Sequence, residues 1–309
     1  MSLRYMSFAI LLVLAVCVNA PAHAGYHYLA SNGTDSINCS RTTPCAGVDQ
    51  ALANAVPNDT IVCLDAIVNL AGLTITKSID IDCSGGRLVL RDGYNNNAAI
   101  YINIPGAGDT FRTVRLRGIS ANGSYGGNTK FIPIGVRIAS AAAVYIENVV
   151  VSDMVQQGIF DERTGGQTKL FVTDSIIRNN GGTGIAIGSQ GPSTIVLDNV
   201  RSENNAYGIG VASGNNVAIN RSVISGNSSV GVEGDPGAQI MVNNSFITHN
   251  NLGVQSSSSV RLSNNDIAFN NTAISGPAGS FGNNRLSGNL STGTNLIPLG
   301  GASSDVAQQ

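Results

Sequence analysis

Tryptophan is absent from the 309 residues, aromatic side chains together make up 5%, and charged ones 12%. With so few large rings the interior has to be filled by aliphatic side chains. A formal net charge of −2 leaves no basic face of the kind nucleic acid demands. Beyond the first two dozen residues no run approaches about 18 apolar positions, so no membrane-spanning helix is expected. Two repeat signatures are also missing, the Leu-x-x-Leu-x-Leu of leucine-rich repeats and the Gly-Gly-x-Gly-x-Asp nonapeptide of calcium-bound β-rolls. Disorder is excluded by the 42% of hydrophobic residues, enough to build a core.

What is present is a repeat. From Lys169 to Asn289 one pattern recurs six times: a short aliphatic run, an Asn eight positions later, and usually a Gly three or four beyond that. The Asn column is Asn180, Asn205, Asn227, Asn250, Asn270 and Asn289, at spacings of 25, 22, 23, 20 and 19 residues. That period is too long for a heptad and too short for a pair of helices, so each copy reads as one coil of a solenoid. The aliphatic runs are three to five residues long, rich in β-branched side chains and broken by Asn, Gly and Ser. Such runs are strands, and the expected fold is all-β, a single parallel β-helix in which coils stack about 4.8 Å apart. The column is expected to supply left-handed turn residues and a ladder of amides, a structural role. Inward positions should include Ile146, Val172, Leu197, Ile219, Val242 and Leu262.

Residues 1–24 read as an export signal, with Arg4 at the positive end, Phe8 to Val18 as the apolar stretch and Ala22-His23-Ala24 as the cleavage site. The mature chain should start at Gly25 and lie in the periplasm or outside the cell. Residues 25–57 read as a cap holding the one helix candidate, Val48 to Val56, stopped by Pro57. Residues 58–295 are the β-helix, and 296–309 a C-terminal cover and loose tail. Of five Cys, Cys17 lies in the signal, leaving an even number in an oxidising compartment. Ile61-Val62-Cys63 and Ile81-Asp82-Cys83 repeat one strand pattern a coil apart, so Cys63 is expected to pair with Cys83, and Cys39 with Cys45 around a short loop.

The succession of an export signal, YLASNGTDSINCSRTTPC, a short helix, TIVCLD, LTITKSIDIDC, VRLRGI and FVTDSIIRNNGGTGI resembles the exported right-handed parallel β-helix proteins of proteobacteria, in the pectate-lyase-like superfamily. The resemblance implies the right hand of the helix and an association with polysaccharide lyases, hydrolases and epimerases, while many members have no established function. The strings expected of such enzymes are missing: no Asp-Asp, no Gly-His-Gly, no Asp-Pro-His.

Two constellations carry chemistry. Asp80 and Asp82 alternate with isoleucines, so both carboxylates leave one outer face about 7 Å apart, where calcium could be held if a neighbouring coil added oxygens. The alternative is a solvated salt-bridged face with Lys77, Arg91 and Asp92. Asp161, Glu162 and Arg163, in a long turn, are expected to gather with Arg178 and Glu203 on nearby coils as acid–base candidates for an acidic sugar; the alternative is surface ion pairs. Other features are spare. His27 and His249 are the only histidines outside the signal, and in the C-terminal coils sugar-stacking rings are few: Phe171, Tyr207, Phe246 and Phe269, with Phe281 expected in the core. The missing strings and the Ser- and Asn-rich rims favour a non-catalytic carbohydrate-binding or structural role at the cell exterior. The alternative is an acidic-polysaccharide lyase or glycoside hydrolase. No cofactor is certain, calcium being the one considered, and polysaccharide is the expected partner.

Overall fold

The coil beginning at Thr168 shows how the sequence makes the repeat. In Thr168–Thr173 the residues Leu170 and Val172 are fully buried while Phe171 faces out. A left-handed residue, Asp174 at φ 50°, turns the chain into Ile176–Arg178. Asn179 at φ 57° turns it again into Thr183–Ile187. Three short strands with two sharp corners and one longer loop close a coil, and the next begins at Ser193. The structure, a computed structural model, describes residues 24–35, 38–91, 93–106, 108–125, 129–257 and 259–299. Residues 1–23, where an export signal is expected, and the tail 301–309 lie outside the described residues.

Stacked coils form three parallel sheets. The first runs through twelve strands from Tyr26–Leu29 to Ile297–Pro298. The second runs through ten from Ala66–Asn69 to Arg285–Ser287, and the third through ten from Leu73–Ile75 to Ser291–Gly293. The one antiparallel pair of strands among the described residues is the excursion Ser124–Tyr125 with Thr129–Lys130, besides an isolated antiparallel bridge between Asn95 and Ala98. Ile146, Val172, Leu197, Ile219, Val242 and Leu262 occupy one register column of the first sheet and are all fully buried. Each such side chain contributes about 1.5–3 kcal/mol by leaving water.

The corners differ from expectation by one residue. Left-handed backbone falls on Asp153, Asn179, Asn204, Gly226, His249, Phe269 and Gly288, each just before the inward position of the Asn column. The column itself is freed from the dihedral role, so its side chains can turn inward. The other corner repeats the arrangement, with Asn148, Asp174, Asn199, Arg221, Asn244, Asn264 and Asn283 left-handed. Phe281 is likewise displaced. Ser280, not Phe281, pairs with the inward Leu262, so the ring falls outside the core column.

The N-terminal end is closed by the helix Val48–Asn54, which buries Val48, Ala51 and Leu52 and stops at Ala55, two residues before Pro57. The Lys77 ammonium donates to the carbonyls of Leu52 and Ala55, meeting the unpaired acceptors of the helix end. Disulfides join Cys39 to Cys45 and Cys63 to Cys83, the second across stacked strands of the first sheet with Cα atoms 4.6 Å apart.

Candidate functional site

The Asn column is a buried amide ladder. Asn180 Nδ2 donates to Asn205 Oδ1 at 2.9 Å, and the same bond recurs from Asn205 to Asn227, Asn227 to Asn250, Asn250 to Asn270 and Asn270 to Asn289. Each amide oxygen also accepts the backbone N–H of the Asn one coil earlier. With donors and acceptors used on protein atoms, and Asn180 to Asn270 buried, no polar edge is left for a ligand.

The five acid–base candidates do not form one cluster. Asp161 and Arg163 are a buried pair, 0% and 2% exposed; Arg163 Nε and Nη2 hold the two carboxylate oxygens at 2.7 and 2.6 Å. Arg163 Nη1 donates to the carbonyls of Ala141 and Lys169, so the pair fastens the long turn to the coil. The expected surface role fails for these two because their charges are inside. Glu162 points out from the third sheet, gripped by Arg137 at 2.7 and 3.2 Å. Arg178 and Glu203 are register neighbours on the second sheet, a different face, and Glu203 pairs with Arg201 at 2.6 Å.

Asp80 and Asp82 do share an outer face, that of the first sheet, and their partner comes from a coil further on. Arg117 Nη1 lies 3.4 Å from Asp80 Oδ2 and 3.5 Å from Asp82 Oδ2, while its Nε donates to Glu147 Oε2 at 2.8 Å. Lys77, expected on this face, is engaged with the helix instead. Burial pushes the Asp80 carboxyl above its usual range, and Arg117 only partly offsets this; Asp80 Oδ1 is buried without a hydrogen bond. At Asp82 burial acts in the same direction, but the Ser84 hydrogen bonds and Arg117 outweigh it and the carboxyl falls below its usual range. Calcium takes six to eight oxygens. Here the space among Asp80, Asp82 and Glu147 holds a guanidinium, whose charge opposes a second cation, so the residues do not fit the ion.

Beside this cluster runs a second row, one residue per coil: Asp80, Arg115, Tyr145 and Phe171. The Arg115 guanidinium lies over the Tyr145 ring at 4.0 Å, and Tyr145 stacks on Phe171 at 4.9 Å with planes 8° apart. Tyr145 is thus held between Arg115 and Phe171. Among the described residues no protein oxygen accepts a hydrogen bond from the Arg115 guanidinium. It favours the charged form of the neighbouring Asp80, and a guanidinium whose N–H groups have no hydrogen-bond acceptor can bind a carboxylate through two parallel bonds. Arg115 lines a cleft together with Asn58, Thr60, Ile79, Asp80 and Thr113.

This row was not read from the sequence, although aligning VRLRG, VYIEN and LFVTD on their first residues puts Arg115, Tyr145 and Phe171 in one column and Arg117, Glu147 and Thr173 in another. The period drifts in that half, from 20 to 35 residues per coil along the first sheet, and that hid it.

No curated protein matches the chain. Among solved structures it is similar to a pectate lyase, at 15% identity and TM-score 0.58, covering 90% of this chain and 78% of the other. An alginate lyase from Paenibacillus sp. strain FPU-7 aligns at 16% identity and TM-score 0.58, covering 89% and 99%. The A-module of a mannuronan C-5 epimerase from Azotobacter vinelandii aligns at 14% identity and TM-score 0.50, covering 90% of each chain. At these identities the likeness is one of fold alone, and among the described residues no helix is long and apolar enough to cross a membrane. Residues 134–306, more than half of the sequence, match the family described as the right handed beta helix region, and the chain belongs to that family.

Proposed function

We propose that the protein is an exported binding protein for acidic polysaccharide, which it holds on the outer face of the first sheet without cutting it. One observation carries this reading: Arg115 is held 4.0 Å over the Tyr145 ring, gives no hydrogen bond to a described residue, and lines a polar cleft. A uronate carboxylate would take the guanidinium. Sugar hydroxyls would meet Asn58, Thr60 and Thr113, and a polymer lying along the axis would meet a new outer residue at each coil, about every 4.8 Å.

A second reading, a lyase acting on the same sugar, has the raised Asp80 carboxyl in its favour, since a base beside a carboxylate-binding Arg suits proton abstraction α to that carboxylate. Against it, neither Asp80 oxygen is placed to act: Oδ1 is buried and Oδ2 faces Arg117. A base needs a lone pair within hydrogen-bond reach of the proton it takes.

The test incubates the purified mature protein with polygalacturonate, alginate and a neutral glucan, measuring binding and the appearance of unsaturated products together. Binding of the polyuronates is expected, weakening with salt and falling at least about tenfold in Arg115→Ala, the loss of one charge-assisted contact. No product is expected. Turnover abolished by Asp80→Asn with the fold intact would establish the lyase instead, and equal binding of the neutral glucan would remove the role assigned to Arg115.

A further inference from the structure

The buried carboxylate of Asp59 stands apart from that face, at the N-terminal end of the first sheet. It is 3% exposed and collects three donors: the Gly25 backbone N at 2.6 Å, the Val56 backbone N at 2.8 Å and His27 Nε2 at 3.0 Å. Gly25 is the residue at which the mature chain is expected to begin. It lies so close that an added Cβ would meet the Asp59 carboxyl at 3.0–3.2 Å, and its carbonyl accepts the Thr60 N–H, so it is fixed from both sides. Ala24, the residue before it, is exposed.

We propose that Asp59 is the receptor for the α-ammonium group released when the export signal is removed, so that processing at Ala24–Gly25 completes an ion pair that locks the first strand onto the β-helix. Hydrolysis breaks the Ala24–Gly25 C–N bond; the oxygen of water goes to the Ala24 carboxylate, and the amine, taking up a proton, becomes an ammonium. Before cleavage Gly25 offers Asp59 one neutral amide N–H. Afterwards it offers a full positive charge at the same atom, and a buried carboxylate gains most from a charged, hydrogen-bonded partner. The existing donors already hold Asp59 below the usual carboxylate range although burial works the other way, so the receptor is ionised when the ammonium arrives.

The sign of the pH dependence follows. An α-amino group paired with a carboxylate is raised above its unfolded range of about 7.7–8.0, so its contribution is complete below that range and is lost as pH rises through the folded value. The titratable groups on the elements packed around this corner are Tyr26, His27 and Tyr28 on the first strand, Asp49 on the helix, Lys77 at the helix end, and Asp80 and Asp82 on the next coil. Lys77 is held by two carbonyls and Asp80 by Arg117.

The experiment compares three forms of the mature protein: Gly25 as the free N-terminus, the same chain with Ala24 retained, and the Gly25 form acetylated at its α-amino group. Intact mass of the naturally exported protein is expected to show Gly25 first. Its melting temperature at pH 6 should exceed that of both blocked forms by about 3 °C or more, and the gap should close as pH is raised past the α-amino range. In Asp59→Asn the three forms should melt together, and if that variant does not fold, the acetylated form supplies the comparison. An exported chain starting elsewhere, or identical melting of free and blocked forms at pH 6, overturns the proposal.

Discussion

Asn227 illustrates what one residue does in this ladder. Its Oδ1 accepts the backbone N–H and the side-chain amide of Asn205, and its Nδ2 donates to Asn250 Oδ1 and to the Ser202 carbonyl. Asn227→Ala therefore strands the buried Asn205 N–H and leaves a void, and a loss of about 2–4 kcal/mol is expected in denaturant unfolding. Asn227→Ser should cost clearly less. The other corner shows why: there Ser175, Ser222 and Ser245 accept the N–H of Val149, Val200 and Ser222 with a hydroxyl alone. Equal losses for Ala and Ser would mean that volume, and not the acceptor, sets the cost. The Asn column stands out in the sequence because one residue type recurs at one period. The second column escapes notice because Val149, Ser175, Val200, Ser222, Ser245, Asn265 and Asn284 share only a position in the coil.

Between coils, single carboxylates also tie elements together, and the clearest is Asp109. It is buried and accepts from the Ser78 backbone N–H and hydroxyl and from the N–H groups of Phe111 and Arg112, joining the loop before strand Thr113–Arg117 to the turn before Ile79–Asp82. Burial opposes its ionisation, yet these hydrogen bonds hold its carboxyl below the usual range. A depressed folded pKa means that the unfolded chain binds the proton more readily. The contribution is thus present above the unfolded value of about 3.9 and is lost as pH falls through the lower folded one. Asp109→Asn should cost about 1.5–3 kcal/mol at pH 7, with the gap to wild type narrowing at pH 3 and below in chemical denaturation; a pH-independent gap would assign the cost to shape. At this scale the alternation of strands was legible, because period-2 patterning needs only a few residues. The site was not: Asp80, Asp82, Arg117 and Glu147 belong to three coils whose spacings differ, and Asp161 with Arg163 carries surface-type residues into the core, where the pairing that neutralises them has no sequence signature.

For the whole molecule, energetics should be nearly one-dimensional, because each coil meets only its neighbours. Residues 221–243 make up one full coil: Asn220 and Asn243 are register partners, and Arg221 and Asn244 share left-handed dihedrals, φ 48° and 49°. Deleting these 23 residues joins Asn220 to Asn244 with every inward position kept, and brings Asn205 onto Asn250 as ladder neighbours. The shortened chain is expected to fold cooperatively with lower stability and a denaturant m-value reduced in proportion to the surface removed. Removing about half that length should fail, because every strand beyond the cut would then meet the wrong sheet. The Arg115, Tyr145 and Phe171 row lies upstream of the cut, on strands that end by Thr173. Polyuronate affinity should therefore survive the coil deletion while melting temperature falls, whereas Arg115→Ala should lower affinity and leave melting almost unchanged. If coil deletion abolished binding in a folded protein, the ligand would have to span the C-terminal coils, and the polar Ser and Asn rims there would replace the Arg115 cleft as the site to examine.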